Sequence, residues 1–257
     1  MEPFTLRIRR IRGKKAEDCE RSFPREVPVA FYVNSTLLAT VAATPQDLED
    51  LAMGFLFTER IIDGPSRVRD LSAAADGRRG QVWVTLGDGA RLPSGPSVTS
   101  GCGRGISFLC ASDLDGFPGV EGGGPFAPAL IREAAEAMRR GAAAYRAGGG
   151  IHAAACLRGS RLEAIAEDIG RHNAVDKALG ALLRRGEPTR GTAVLTTGRI
   201  SSEMVLKAAV AGCPLAASLT GATSLAAEAA ERLGITLVTY VRGDRMDVCT
   251  HPERIEG

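Results

Sequence analysis

The chain is poor in the residues on which several chemistries depend. Histidine occurs three times, at 152, 172 and 251, and tryptophan once. No zinc-ligand spacing is present, and the HxE followed by PCxxC of zinc deaminases is missing, so no structural metal is expected. No CxxC pair occurs either. The cysteines at 19, 102, 110, 156, 213 and 249 are widely spaced, which argues against a disulfide framework and for free thiols in a reducing compartment. No apolar run reaches the roughly 18 to 20 residues of a membrane helix. No apolar segment with a small-residue cleavage site follows the basic N-terminus. Contact with a membrane is therefore not expected, and the expected location is cytoplasmic. An excess of one charge is also lacking: 32 basic and 30 acidic residues leave +2, which gives little reason to expect nucleic-acid binding. A GxxxxGK[ST] phosphate loop is absent as well.

What is present is ordinary globular material. At 257 residues, 44% of them hydrophobic, the chain can bury one large core or two smaller ones. The basic residues are unevenly placed: Arg7, Arg9, Arg10, Arg12, Lys14 and Lys15 crowd an N-terminal tail. That tail is read as a solvated arm, or as a contact for phosphate or an acidic partner.

Residues 26–43 read as two strands joined near Asn34-Ser35, because β-branched and aromatic residues flank a turn former. Thr44-Pro45-Gln46-Asp47 then looks like a helix start, with threonine as cap and proline at the first position. Leu48, Leu51, Ala52, Phe55 and Leu56 supply its apolar face, and Gly64-Pro65 end it. A further strand is predicted over 81–86. Glycine and proline dominate 87–128. The pattern predicts a helix over 129–140, strands over 151–157 and 162–167 around a turn at Arg158-Gly159-Ser160, and a helix over about 173–184.

From 192 to 241 strand and helix alternate. TAVLTT at 192–197, LAASL at 215–219 and ITLVTYV at 235–241 are near-continuous apolar strands. Ser201 is placed to cap the first intervening helix, Thr223 or Ser224 opens the second, and Gly234 closes it. This alternation predicts a largely parallel sheet covered on both faces. Ligands in such sheets bind outside the carboxyl ends of the strands, which here carry Thr197-Gly198-Arg199, residues 218–221 and residues 242–245. The fold class is α/β. A small α+β domain is read over 1–112, a Gly/Pro-rich connection over 113–128 and an α/β domain over 129–257.

Several groups carry possible chemistry. Cys102 sits between Gly101 and Gly103, with Arg104 and Gly105 following, and glycine frees the backbone around the thiol. A thiolate in such a loop can attack sulfur and carry a persulfide; the alternative is an unremarkable cysteine in a turn. Cys110, Cys156 and Cys213 read as packing residues. The run EDIGRHNAVDK at 167–177 is too polar to be core alone, and reads equally as a structural network or as a ligand-binding group. His172 could shuttle a proton, yet no serine or cysteine lies near it in sequence. His152 could orient a loop or ligand or simply be structural. Tyr240, Val241, Arg242, Gly243, Asp244 and Arg245 offer an aromatic ring, a flexible glycine and guanidinium forks that suit phosphate, or else form a charged turn. GATSLA at 221–226 opens a helix whose free amides suit an anion.

These stretches resemble the FdhD family. The likeness runs from EVPVAFYVN at 26–34 through ATPQDLEDLAMGFLFTERII at 43–62, SGCGRG at 100–105, GGGIHAAA at 148–155 and EDIGRHNAVDKALG at 167–180. It continues with TTGRISSEMVLKAA at 196–209 and SLTGATSLAAEAAERLGITLVTYVRGDRMDVCTHP at 218–252. The resemblance implies a sulfur carrier needed for active formate dehydrogenase. It accepts persulfide sulfur from a cysteine desulfurase and passes it to the bis-guanine-dinucleotide molybdenum cofactor, which is its bound substrate. It also implies a cytidine-deaminase-like α/β/α fold for the larger domain without zinc chemistry, and a homodimer. By matching motifs, Cys102 is the persulfide-bearing residue, and Tyr240, Val241, Arg242, Gly243, Asp244 and Arg245 form the cofactor-binding segment. Many family members carry CGxC in the loop; here Gly105 holds the second cysteine's place. A relay between two loop cysteines is therefore in doubt, whereas a one-cysteine carrier is chemically complete. A cofactor-delivering chaperone without sulfur transfer stays open as the alternative, as does, more remotely, a zinc hydrolase on a deaminase-like fold.

Overall fold

The computed structural model describes residues 4–87, 97–99, 111–147 and 150–257, with side chains left aside at 97–99 and 111–113. Its first element departs from expectation. The basic N-terminal stretch is no tail: Phe4–Arg12 (β1) and Lys15–Phe23 (β2) form an antiparallel ribbon turned at Gly13. Arg9 and Arg10 pair with Asp18 and Glu17 of the facing strand, so alternating basic and acidic residues match across it. Because almost every ribbon residue is exposed, hydrophobic patterning alone does not reveal these strands.

A five-stranded sheet follows. It is built from Val27–Val33 (β3), Thr36–Ala43 (β4), Val68–Ala75 (β5), Gly80–Leu86 (β6) and Ser97–Thr99 (β7), in the order β5-β6-β3-β4-β7. The alternation of β3 and β6 buries Val27, Val29, Phe31, Val33, Val82 and Val84 on one face. Leu48–Thr58 (α1) covers that face with Leu48, Leu51, Ala52 and Leu56. The helix starts at Leu48, and Thr44 does not cap it. The residue preceding the helix is Asp47, in a left-handed conformation with no side-chain capping bond, while the Thr44 hydroxyl is engaged elsewhere.

The second sheet combines His152–Arg158 (β8), Arg161–Asp168 (β9), Ala193–Thr196 (β10), Leu215–Ser218 (β11), Thr236–Arg242 (β12) and Arg245–Val248 (β13), in the order β13-β12-β11-β10-β8-β9. It is mixed rather than largely parallel. Only β10–β11 and β11–β12 are parallel, whereas β8–β9, β8–β10 and β12–β13 are antiparallel. The reason is loop length: the turns at Gly159 and Gly243 are too short for a crossover, and hairpins must result. Pro128–Gly141 (α2) packs Ile131, Ala134, Ala135 and Met138 on one face, and the short Ala143–Arg146 (α3) follows it. Arg171–Arg184 (α4), Ser202–Val210 (α5) and Ser224–Leu233 (α6) cover the other. Thr223 caps α6 through Ala226 N, and Gly234 ends it in the left-handed region, as read from the sequence. Ahead of α2, Val120 N donates to Leu233 O at 2.8 Å, and Val120 joins the core beneath α6. No helix among the described residues is long and apolar enough to cross a membrane.

The two sheets meet through α1 and α4. The helices cross at Gly54 and Gly180: a Cβ at Gly54 would lie 1.8 Å from the Asp176 carbonyl oxygen, and one at Gly180 1.9 Å from that of Asp50. Only glycine permits so close an approach. Two buried networks lie beside the crossing. Lys177, fully buried on α4, contacts Asp168 at 2.7 Å and the Thr44 hydroxyl at 2.7 Å, while that hydroxyl donates to Asp168 at 2.8 Å. Lys207 on α5 reaches Asp176 at 3.0 Å, Glu59 at 2.9 Å and Thr58 at 2.8 Å. Charges so buried persist only when paired and hydrogen-bonded. The polar run 167–177 therefore has a structural role in joining the two sheets.

Candidate functional site

The carboxyl ends of β10, β11, β12 and β9 and the first residue of β8 share one edge of the second sheet. The small hydroxylated residues gathered there mostly hold loop backbone. Ser218 Oγ donates to Gly198 O at 2.7 Å, Thr197 Oγ1 accepts from Ala153 N at 3.0 Å, and Thr220 N donates to Ser218 Oγ at 2.9 Å. Their place at the edge is as expected, but their hydroxyls serve to pin the loops.

The segment from Tyr240 to Arg245 is split by a β-bulge between Thr239 and Arg242. Tyr240 adopts φ 52 and is 47% exposed, with its hydroxyl 2.8 Å from where a Cβ on Gly221 would stand. Bulges re-aim side chains in this way, and such strain is held where surroundings enforce it. Val241 is buried, and Arg242 is anchored by Nε to Leu219 O at 2.9 Å. Val241, Arg242 and Gly243 line a cavity of about 1140 Å³ together with Arg132, Arg139 and Arg140 of α2. Those α2 arginines were not singled out by sequence; their spacing on one helix was the available signal. Asp244 and Arg245 lie instead at the hairpin tip, where Arg245 pairs with Asp247 at 3.0 Å. Both are exposed, and neither lines the cavity.

Cys102 and Cys110 lie outside the described residues, as do Gly148 and Gly149. The strand leading towards Cys102 is described, however. β7 runs parallel to β4 with Thr99 opposite Val41, and the next residue, Ala42, accepts from Asn173 Nδ2 at 2.8 Å. The end of β7 thus lies on the strand that Asn173 holds at the amino end of α4. There His172 is buried, with Nε2 3.2 Å from both Ser201 Oγ and Glu203 Oε2. Ser201 precedes α5 but makes no side-chain cap; its hydroxyl faces this imidazole. A serine does neighbour His172, brought from 29 residues away, which no local reading reveals. His152 is held neutral more readily than an ordinary histidine, first by burial and then by the cation of Arg171. Of the other thiols, burial pushes Cys213 up to about 12 and Cys156 well above its ordinary value. Among the described residues no three histidine, cysteine or acidic side chains converge as a metal site.

The profile of the FdhD/NarQ family matches residues 24–256, nearly the whole chain. The chain belongs to the FdhD/NarQ family. A sulfur carrier protein FdhD from Listeria monocytogenes is 34% identical over 253 residues, covering 97% of each chain. One from Sulfolobus acidocaldarius is 34% identical, covering 98% of this chain and all of its own. A solved structure described as that of a formate dehydrogenase accessory protein from Desulfotalea psychrophila matches with a TM-score of 0.79 at 28% identity, over 99% of both chains. Family membership and the α/β fold class expected from the motifs are both borne out.

Proposed function

We propose that this protein is a sulfur carrier acting in the maturation of formate dehydrogenase, with Cys102 as the carrying residue. The observation that carries the reading is the end-to-end match to relatives named sulfur carrier protein FdhD. In the loading step, the Cys102 thiolate attacks the outer sulfur of a cysteine desulfurase persulfide. A new S–S bond forms as the donor's S–S bond breaks; the donor leaves as thiolate, and the sulfane sulfur keeps its oxidation level. Transfer of that sulfur to the bis-guanine-dinucleotide molybdenum cofactor, as substrate, breaks the Cys102 S–S bond and returns Cys102 as thiolate, with the two electrons that take sulfane sulfur to sulfide supplied by a thiol reductant or by the substrate's own metal. The reading carries with it a homodimer and a cytoplasmic site of action.

The large cavity supports the cofactor half of this reading. Arg242 and Gly243 border it beside Arg132 of α2, while Arg139 and Arg140 on the same wall pair with Glu136; guanidinium forks bind phosphate in two-pronged fashion. Tyr240 does not line this cavity; exposed beside Gly221, its ring offers a separate face on which a guanine can stack. Gly105 in place of a second loop cysteine leaves Cys102 to act alone.

Incubation with a desulfurase and cysteine is expected to add about 32 Da, one sulfur, to the Cys102 peptide. Cys102→Ala should lose both this label and activation of formate dehydrogenase. Arg242→Ala should keep the label but weaken guanine-nucleotide binding about tenfold or more. If Cys102→Ala still activates the dehydrogenase while Arg242→Ala does not, the protein is a cofactor-delivering chaperone rather than a carrier.

A further inference from the structure

The cavity of about 1140 Å³ extends well beyond the corner that Arg242 borders. Its walls run from Leu219 and Val241, at the ends of β11 and β12, to Leu162 on β9 and Tyr145 on α3. In the strand order β12 and β9 stand four places apart, roughly 19 Å at the usual spacing of about 4.8 Å. A cavity for one small ligand measures roughly 300–1,000 Å³, so this one has room for more than a single base with its phosphates.

Its charge is uneven as well. Arg132, Arg139, Arg140 and Arg242 in the walls outnumber Glu133 and Glu136. Glu136 is shared by Arg139 at 3.0 Å and Arg140 at 3.7 Å, while Arg132 makes no ion pair among the described residues. An excess of two positive charges beside apolar Leu162, Leu219 and Val241 suits a ligand with a diphosphate and flat, poorly hydrated ends.

At the β9 end the aromatic wall is built with care. Gly141 closes α2 directly over β9, where a Cβ would lie 2.6 Å from Ile165 Cδ1. Two residues further along that strand, the Glu167 carboxylate accepts from Tyr145 N at 2.6 Å and from Ala144 N at 3.2 Å. A charged acceptor on two successive amides fixes the backbone from which Tyr145 meets the cavity. The Tyr145 ring is half-buried, packed on the core beneath α2. Its phenol acts on the Arg139 guanidinium, behind the larger effect of Glu136. The Glu167 side chain thus serves this cavity, whereas its neighbour Asp168 serves the buried Lys177 network.

We propose that Tyr145 stacks the second, non-guanine ring of the dinucleotide substrate, with the diphosphate along the α2 arginines and the guanine at Tyr240 past the β12 end. Glu167 is the positioning residue for Tyr145. The inference rests on the cofactor half of the proposed function and adds a second ring site to it. A diphosphate that joins two ring-bearing halves is then read at both ends, one tyrosine to each.

The test is calorimetric titration of the full chain with GDP and with diguanosine diphosphate, whose second guanine stands in for the second ring. The two-ringed ligand is expected to bind about tenfold more tightly than GDP, the worth of one further stack. Tyr145→Leu should remove that gain, with GDP losing little because it lacks the second ring, and Tyr145→Phe should keep it. Glu167→Ala should lose most of the gain, and Glu167→Gln less, since its amide oxygen still accepts one bond. Arg132→Gln should weaken both ligands alike. An unchanged thermal midpoint establishes that each variant is folded. With three tyrosines in the chain, ring NMR can follow each one. Tyr145 signals should move with diguanosine diphosphate and stay in place with GDP. Equal affinity of the two ligands, a gain that survives Tyr145→Leu, or a Tyr145 ring that responds equally to GDP each overturns the second ring site and leaves the cofactor reading standing. Failure of both ligands to bind overturns the cofactor reading itself.

Discussion

Tyr240 holds a left-handed backbone angle that costs a non-glycine residue about 1–3 kcal/mol. That strain turns its ring onto Gly221 at the sheet edge. Tyr240→Gly is therefore expected to leave the thermal midpoint undiminished while weakening GDP binding about tenfold, the worth of one base stack. Calorimetric titration and thermal unfolding of the same variant check both halves. The thiols divide by burial in a similarly testable way. Cys249 is exposed, whereas burial pushes Cys213 up to about 12 and Cys156 further. Peptide mapping after iodoacetamide treatment of the native protein at neutral pH should find Cys249 alkylated, with Cys156 and Cys213 untouched until denaturant is added.

At the scale of elements, the α1–α4 crossing opposes local preference to packing. Gly54→Ala and Gly180→Ala would each favour helix by about 1 kcal/mol on propensity alone. A methyl group placed 1.8–1.9 Å from a backbone carbonyl oxygen forces the helices apart, and that effect wins. Both variants should lose a few kcal/mol in denaturant unfolding. Lys207→Met should lose about 3–5 kcal/mol, because Asp176 and Glu59 are left buried without their cation. That loss depends on pH. Burial pushes Asp176 up to about 6, with Lys207 opposing it, so the acid ionises in the fold less readily than in the unfolded chain. Its contribution to stability is full below its unfolded value of about 4 and is lost as pH rises through 6. Without Lys207 the loss extends to higher pH. Urea titrations should thus find the variant's deficit smaller at acid pH than at neutral pH.

Over the whole molecule, two sheets share a central pair of helices while the β1–β2 ribbon stands apart. Phe4 and Leu6 remain exposed on it, and neither belongs to a core cluster. The family profile likewise begins at residue 24. A chain starting at Pro24 is expected to unfold within a few degrees of the full protein, because both sheets keep every strand. A large drop in the midpoint would place the ribbon in the fold's stability instead. Across this architecture two cavities lie at different stations: one by α2, where arginines meet the end of β12, the other where β8 and α4 begin.

The alternation of strand and helix from 192 to 241, the Thr223 and Gly234 boundaries and the β3–β4 hairpin were all readable from the chain. Each is governed by periodicity, turn chemistry or capping within a few neighbouring residues. The mixed strand directions and the β1–β2 ribbon were not readable, since short hairpins and exposed ribbons leave weak patterning. Nor could Thr44 be matched to Asp168 across 124 residues, or Ser201 to His172 across 29. Such partners are chosen when helices and sheets close-pack, and the burial that makes these polar contacts obligatory exists only once distant segments have come together.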